Sequence, residues 1–259
     1  FGILRNWYRK FTGKAYKPGK ENLDKTKDTY VSLFSDDNFS DSLPFQFDYD
    51  GIDVDDSIPN EPEITEALFK MRNRKAPGIS KISVDHLKQW YYDANPKDPS
   101  IEVSEVALER WQNIINIIQE CFRGKIPTAF KIGILVIIPK DDNGGVRGIG
   151  LLESIHKLIS QIINLRMSKS IKFCEEVHGF RRRRGTHTAI GDTKLKMQIA
   201  GCKSNTIYQI FLDLRKAYDS IARNRVLQLL KKYGVGPNIR NYINNIWKDQ
   251  QFILRQANF

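Results

Sequence analysis

One short segment in the last fifth of the chain combines residue types that can do phosphoryl-transfer chemistry. An apolar run ends at Leu212 and is followed by Asp213, with an aromatic residue, Tyr218, five positions later. The run predicts a β-strand over 206–212, whose end would hold the Asp213 carboxylate where solvent and substrate can reach it. Such a carboxylate can bind Mg²⁺, which takes one or two carboxylates together with substrate phosphates. Two metal ions about 3.5–4 Å apart can stabilise both the attacking and the leaving oxygen.

The same residues also have an ordinary structural interpretation. Asp is common in turns and at helix N-termini, so Asp213 can cap a turn and Asp219 can cap the helix that follows. Taken without its surroundings, the segment favours this structural interpretation. The rest of the chain therefore decides between the two.

Charge is unevenly distributed along the chain. Lys and Arg outnumber Asp and Glu by 41 to 30, for a net charge of +11. Ten acidic residues and no Lys or Arg occupy positions 36–63, so the rest of the chain carries +21, ten above the total. A surplus of this size attracts polyanions such as nucleic acids. A soluble basic protein without a nucleic-acid partner has the same composition, so charge leaves both interpretations open.

Composition excludes several classes of protein. Hydrophobic residues make up 41% of the 259 residues and aromatic residues 11%, enough for a sizeable core in one or two domains. The longest apolar run, 132–139, is too short to cross a bilayer, and three widely spaced cysteines form no disulfide framework. Membrane proteins and small secreted scaffolds are therefore excluded. Because residue 1 is Phe rather than Met, we expect an internal piece of a longer protein.

The spacing of apolar residues predicts an α+β fold in which helices outnumber strands. Residues 1–60 are expected to form a poorly structured arm, basic and then acidic, with one short helix around 30–34. Helices are predicted over 61–75, 83–90, 104–122 (with Leu108 and Trp111 on its apolar stripe), 155–165, 188–197, 226–233 and from 237 onward. A β-branched run predicts another strand over 132–138, followed by a polar, glycine-rich turn over 140–147.

The segment around Asp213 resembles the first catalytic motif of reverse transcriptases, most nearly those of non-LTR retrotransposons. Four earlier stretches resemble further motifs of that family, in the family's order. They are Lys75-Ala76-Pro77-Gly78, Gly124-Lys125-Ile126-Pro127 with Ile137-Ile138-Pro139-Lys140, Arg147-Gly148-Ile149, and His178-Gly179-Phe180-Arg181. Five ordered motifs are far more specific than one. The resemblance covers nearly everything from about residue 61 onward, and the family's domain would be incomplete at both ends.

The resemblance implies a role for each matching side chain. Asp213 would be the catalytic metal ligand and the carbonyl of Leu214 a second oxygen donor, with two Mg²⁺ ions expected in the complete enzyme. Tyr218 would lie under the sugar of the incoming nucleotide, where its ring would exclude a 2′-hydroxyl. Lys140 and Arg147 would bind the triphosphate, the Arg in bidentate fashion and the Lys as a point charge. Lys140 is equally compatible with a solvated position in the turn.

An unbroken run of four arginines occupies 181–184. Within the motif that surrounds the run, Arg181 and Arg184 are implied to contact nucleic acid, since arginines commonly bind backbone phosphates. A solvated surface and a nuclear-localisation patch are the alternatives for such a run.

A right-hand polymerase fold follows from the resemblance, helix-rich and with a small antiparallel sheet. Residues 61–205 would form the fingers and the N-terminal palm region, and 206–259 a truncated palm segment. The family's reaction is RNA-directed DNA synthesis. Its partners would be an RNA template, a DNA primer and a deoxynucleoside triphosphate (dNTP), without a membrane. Such a protein would act inside the cell, in the nucleus if it comes from a eukaryotic retrotransposon.

The chain also departs from the family pattern. Ser80 and Lys81 replace a usual Asp-Gly pair, Gly150 stands where Ser is common, and Arg183 replaces a Gly. The family's second catalytic motif, an aromatic residue followed by two aspartates, does not occur after Asp213. One carboxylate cannot hold two cations, so we expect the chain as given not to polymerise by itself, in contrast to its full-length parent.

Two other functions remain compatible with these residues. One is a non-catalytic nucleic-acid-binding remnant of a decayed or repurposed element, whose basic surface still binds RNA. The other is a group II intron-type maturase, which shares the polymerase fold.

Overall fold

The computed structural model describes residues 53–139, 146–203, 205–213, 217–218 and 221–255. These residues form two compact units. The first unit combines the described residues up to Ser170 with those from Ala222 onward, and the second unit consists of the described residues within Ile171–Ile221. The predicted helix around 30–34 and most of the predicted turn over 140–147 lie outside the described residues.

Seven helices and three strands occur in the described residues. The helices are α1 (Glu61–Lys70), α2 (Val84–Ala94), α3 (Glu105–Phe122), α4 (Ser154–Ser170), α5 (Thr186–Cys202), α6 (Arg223–Lys232) and α7 (Pro237–Trp247). The strands are β1 (Ile132–Pro139), β2 (Val146–Leu151) and β3 (Gln251–Arg255), and a short 3₁₀ helix, Thr128–Lys131, leads into β1. The helix-rich α+β prediction is therefore confirmed. No helix within these described ranges is long and apolar enough to cross a membrane.

Local capping explains where the predicted helices begin. The side chain of Asn60 accepts a hydrogen bond from the Glu63 backbone N–H at the start of α1. Ser83 accepts from the His86 N–H at the start of α2, and the His86 ring accepts from the Ser83 N–H in return. Ser104 caps α3 in the same way. All three helices begin within one residue of their predicted starts.

The buried stripe of α3 differs in one place from the prediction. Trp111 and Ile118 are buried as expected, whereas Leu108 is 51% exposed. Ala107 takes its place at the start of the buried stripe. The apolar spacing thus predicted the helix and its buried face correctly, except for the residue that is buried in the first turn.

The sheet has the order β2-β1-β3, with the predicted strand β1 in the centre. β1 and β2 are antiparallel and pair Val136 with Ile149. β1 and β3 are parallel and pair Ile134 with Ile253. The sheet is therefore mixed, and the prediction of an antiparallel sheet is correct for β2 and wrong for β3.

Two of the three strands were not predicted. Most of β2 lay in or beyond the predicted turn, because Gly148 and Gly150 weaken the strand pattern. Its backbone hydrogen bonds to the apolar strand β1 override that local preference. At β1, a Cβ on Gly133 would come within 2.7 Å of the Phe252 ring, so this glycine makes room for the side chain from β3.

The last part of the predicted arm packs on the first unit. Val54 is 1% exposed and forms an isolated parallel bridge with Val235. The Asp56 carboxylate accepts hydrogen bonds of 2.8 Å from the backbone N–H groups of Asn238 and Ile239 in the first turn of α7. A helix N-terminus favours a negative charge in this position. Residues 53–60 are therefore part of the folded body, whereas the arm was predicted to extend to residue 60.

Arg166, on α4, also binds residues of the stretch 53–60 and of the start of α1. Its guanidinium donates two hydrogen bonds of 2.6 Å to the Glu63 carboxylate, and also donates to the carbonyls of Asp55 and Ser57. It lies 5.3 Å from the centre of the Phe122 ring and is 3% exposed. The burial is tolerated because every part of the charge has a partner.

A second buried polar contact joins α4 to α7. The His156 Nδ1 and the Tyr242 hydroxyl are 2.6 Å apart, and the two residues are 8% and 1% exposed. Burial lowers the pKa of His156 to about 4, with a smaller contribution from Lys157. Burial also raises the pKa of the Tyr242 hydroxyl well above its usual value. The folded state therefore holds a neutral histidine.

The second unit differs most from the sequence prediction. Its helix α5 includes the predicted 188–197, but none of the α5 residues is buried. The predicted strand over 206–212 is wrong, because the described segment 205–213 has no regular secondary structure. Within it the exposed fractions are 89% for Tyr208, 84% for Phe211 and 90% for Leu212. A strand depends on a neighbour for its backbone hydrogen bonds, and no described residue pairs with this segment.

Removing the Arg166 charge should destabilise the fold. Arg166→Met leaves the Glu63 carboxylate without its partner, and we expect the free energy of unfolding in urea to fall by about 3 kcal/mol. Adding Glu63→Gln should recover part of that loss. Lys70→Met, which removes an exposed ion pair of α1 with Glu66, is the control and should change little. Equal effects of Arg166→Met and Lys70→Met would show that the buried contact between Arg166 and Glu63 adds no more stability than an exposed ion pair.

His156 should make the fold sensitive to acid. Its folded pKa lies below the usual 6.5, so its stabilising contribution is complete above pH 6.5 and is lost as the pH falls towards 4. The loss amounts to about 3 kcal/mol. We expect urea unfolding at pH 7.5, 6 and 4.5 to show a steeper loss for the native chain than for His156→Gln. Identical pH profiles for the two would contradict the assignment.

Candidate catalytic and nucleic-acid site

Asp213, the predicted metal ligand, is exposed at the end of the irregular segment 205–213. Exposure suits a carboxylate that holds Mg²⁺ together with water and substrate phosphates. The structure thus presents the side chain to solvent as expected, but without the strand that was predicted to carry it. Leu214 and Asp219 lie outside the described residues. In the part of the chain that the structure describes, no three His, Cys, Asp or Glu side chains cluster as a metal site.

Tyr218, the predicted sugar contact, belongs to the same unit as Asp213. Its side chain is 76% exposed. Its ring meets the ring of Phe180 edge to face, with the centroids 6.2 Å apart and the planes at 82°. The structure therefore brings Tyr218 next to the second-last residue of the His178-Gly179-Phe180-Arg181 motif.

Of the two predicted triphosphate cations, the backbone of Arg147 is described and Lys140 is not. Arg147 was predicted to lie in a turn, but it is the second residue of β2, opposite Ile138 of β1. The pair Pro139 and Val146 closes the described ladder at that end. Arg147 is thus carried by a strand of the sheet, one residue from the end of the described ladder.

Arg181 and Arg184 hold the loop before α5 in shape. Arg181 donates to the carbonyls of Cys174 (2.8 Å) and Val177 (3.2 Å). Arg184 donates to both the carbonyl and the carboxylate of Glu175, which lowers the pKa of that carboxyl, the side-chain hydrogen bond being the largest cause. Both predicted nucleic-acid contacts therefore have partners within the loop.

The two middle arginines of the run are oriented differently. Arg182 and Arg183 are exposed, and Arg183 has a φ of +61°. His178 anchors the loop to α5 through the Thr188 hydroxyl at 2.8 Å and the Asp192 carboxylate at 3.0 Å. The loop thus turns the first and last arginines of the run inward and the two middle ones outward, which a run of identical residues does not reveal.

A buried carboxylate that the sequence did not single out lies in the first unit. Glu153 is 5% exposed and accepts hydrogen bonds from the Ser80 backbone N–H at 2.9 Å and from the Ser80 hydroxyl. A Cβ on Gly78 would come within 2.8 Å of the Glu153 backbone nitrogen. Lys157 also donates to the Ala76 carbonyl at 2.9 Å. The Ala76-Pro77-Gly78 loop is therefore fastened to the start of α4.

The departures from the family pattern in this loop have structural counterparts. Ser80, in place of the usual Asp, supplies both donors to Glu153. Lys81, in place of Gly, has a φ of +63°, a conformation that favours glycine. The only signal in the sequence for Glu153 is its position four residues after Ile149, the last residue of the Arg147-Gly148-Ile149 motif.

Comparison with known proteins supports the family resemblance. Residues 138–258 match the reverse transcriptase (RNA-dependent DNA polymerase) family. This range includes Arg147, the loop over 174–185 that carries the four arginines (the arginine loop), Asp213 and Tyr218. The retrovirus-related Pol polyprotein from type-1 retrotransposable element R2 of Popillia japonica is 24% identical over 176 residues, which are 65% of this chain and 24% of that protein.

A second relative extends the match over most of the chain. The transposon TX1 uncharacterized 149 kDa protein of Xenopus laevis is 21% identical over 253 residues, 90% of this chain and 18% of that protein. The chain thus spans a quarter or less of the length of both relatives. The ordered motifs, the family match over residues 138–258 and these two relatives together support a reverse transcriptase domain of a non-LTR element in this chain.

Proposed function

We propose that the complete protein is an RNA-directed DNA polymerase of a retroelement, and that this chain supplies part of its fingers and palm. The observation that carries the proposal is the exposed Asp213 and the exposed Tyr218 within one unit, inside the range that matches the reverse transcriptase family. An RNA template, a DNA primer and a dNTP are the substrates that this activity requires. The basic charge of the chain outside 36–63 favours such partners.

In the proposed reaction, the 3′-hydroxyl of the primer attacks the α-phosphorus of the dNTP and pyrophosphate leaves. Asp213 would hold Mg²⁺ with the carbonyl of Leu214, and the bound ions would neutralise charge on the attacking and leaving oxygens. Arg147 and Lys140 would orient the triphosphate, and Tyr218 would restrict the space beside the sugar. Positioning and charge stabilisation would therefore supply most of the rate enhancement.

The arginine loop would contribute affinity for the nucleic-acid strand. We assign phosphate contacts to the run 181–184, within which the exposed Arg182 and Arg183 are best oriented to meet a strand. Arg181 and Arg184 would act chiefly by keeping the loop in the shape that presents them. Specificity for one base sequence is not expected from such contacts.

Neutralising Asp213 should abolish polymerisation without loss of RNA binding. In the full-length protein, Asp213→Asn and Asp213→Ala should lower primer extension on an RNA template by at least about a hundredfold. The reason is that Mg²⁺ would lose a carboxylate ligand, and the negative charge that develops on the reacting oxygens would lose its stabilisation. Glu176→Gln, which neutralises an exposed carboxylate of the same unit, is the matched control and should extend normally. RNA affinity, measured by filter binding, should be the same for all variants.

Undiminished extension by Asp213→Asn would remove the catalytic assignment. If the native full-length protein binds RNA but extends no primer, the non-catalytic binding remnant becomes the better description.

The two pairs of arginines should respond differently to mutation. Arg182→Ala with Arg183→Ala should weaken RNA binding for all sequences and reduce the slope of log affinity against log salt by about one to two, with an unchanged melting temperature. Arg181→Ala with Arg184→Ala should lower the melting temperature, because the loop loses its internal bonds. Lys194→Ala with Lys196→Ala, two exposed cations of α5, controls for net charge. Equal losses of affinity for the two exposed pairs would mean that only total charge matters.

A further inference from the structure

Phe180 and Tyr218 form an exposed aromatic pair in the second unit. Phe180 is 95% exposed and Tyr218 76%. Their rings lie edge to face at a centroid distance of 6.2 Å, an arrangement that aromatic pairs favour. Neither ring is therefore placed by burial in a core, and each is the other's aromatic neighbour.

The backbone holds Phe180 in an unusual conformation. Its φ is +57°, in the left-handed region that bulky side chains rarely adopt. After Phe180, the hydrogen bonds of Arg181 to Cys174 and Val177 and of Arg184 to Glu175 connect the loop to the residues that precede it. His178 ties the loop to Thr188 and Asp192 of α5. The position of Phe180 is thus imposed by the loop and not by contacts of its own ring with a core.

A strained, exposed aromatic residue is costly, and such residues cluster at sites that contact a ligand. Here the ring meets the residue to which we have assigned the contact with the sugar of the nucleotide. The exposed Arg182 and Arg183 lie two and three residues after Phe180 and supply charge complementary to a phosphate-bearing ligand. The observations therefore converge on the nucleotide as the molecule that this pair meets.

We infer that Phe180 is a positioning residue for sugar discrimination: it holds the ring of Tyr218 in the orientation that excludes a 2′-hydroxyl. This inference rests on the proposed function of Tyr218. An exposed Tyr side chain without a neighbour samples several rotamers. The edge-to-face contact restricts that freedom, so a loop that precedes α5 sets the selectivity of a residue that follows Asp213.

The test is the ratio of ribonucleotide to deoxynucleotide incorporation by the full-length protein, as kcat/KM for each. Phe180→Ala should raise that ratio by about two- to tenfold, the value of an aromatic pair. Tyr218→Ala should raise it further, and Phe180→Tyr should keep the native ratio because it keeps the ring. Phe173→Ala, at an exposed phenylalanine of the same unit, is the control and should leave the ratio unchanged.

Each alternative outcome has a distinct meaning. If Tyr218→Ala raises the ratio and Phe180→Ala does not, the inference about Phe180 is overturned while the role of Tyr218 stands. If Phe180→Ala lowers both incorporation rates equally, Phe180 has only a structural role and the inference is likewise overturned. If Tyr218→Ala leaves the ratio unchanged, the proposed role of Tyr218 fails and the inference fails with it.

Discussion

The first unit depends on one constraint: polar groups buried on or beside α4 must find partners elsewhere in the chain. Among the described residues, those that are buried and polar are Glu153, Ser154, His156 and Arg166. Glu153 and Ser154 both bind the loop before α2, at Ser80 and at the carbonyl of Ile82, whereas His156 binds Tyr242 of α7 and Arg166 binds Glu63 and the stretch before α1. An unpaired group at any of these places would cost its full desolvation, so these four residues fix the positions of three segments distant in sequence. Apolar packing supplies most of the stability, and these polar contacts determine which segments pack against α4.

The side chains to which chemistry is assigned follow the opposite rule. Asp213, Tyr218, Arg182 and Arg183 are exposed, and the second unit that carries them buries none of the residues of its main helix. Groups that meet a nucleotide or a strand must stay accessible, so burial cannot position them. Local backbone geometry and internal hydrogen bonds do so instead, as the clamp of Arg184 on Glu175 illustrates.

What the sequence predicts well here is whatever depends on local periodicity. The helices of the first unit follow from apolar spacing and from caps such as Asn60 and Ser83, because these signals lie within a few residues of one another. β2 and β3 form because they pair with β1, and such pairing cannot be read from residues that are neighbours in sequence. In β2, Gly148 and Gly150 also interrupt the alternation of residues that is typical of a strand. The segment 206–212 was misjudged because an apolar composition indicates burial only where a neighbour exists to provide it. At the candidate site, residue types and spacing predicted Asp213 and Tyr218, whose roles stay predictions. The inward or outward orientation of four consecutive arginines is a property of loop geometry that residue types do not reveal. No pattern of residue types in the sequence indicates the role of Glu153, which becomes evident only from its contacts with Ser80.

The Phe252 ring packs over Gly133 and so connects β3 to β1, two strands that are far apart in the sequence. Because the Phe252 ring fills the space above Gly133, a larger side chain at position 133 requires a smaller one at position 252. Among relatives of this chain, the two positions should therefore covary, a small residue in the central strand accompanying a large one in its parallel neighbour. Such a paired signature would identify β3 in sequences where its five residues, like those here, are too few to reveal a strand on their own.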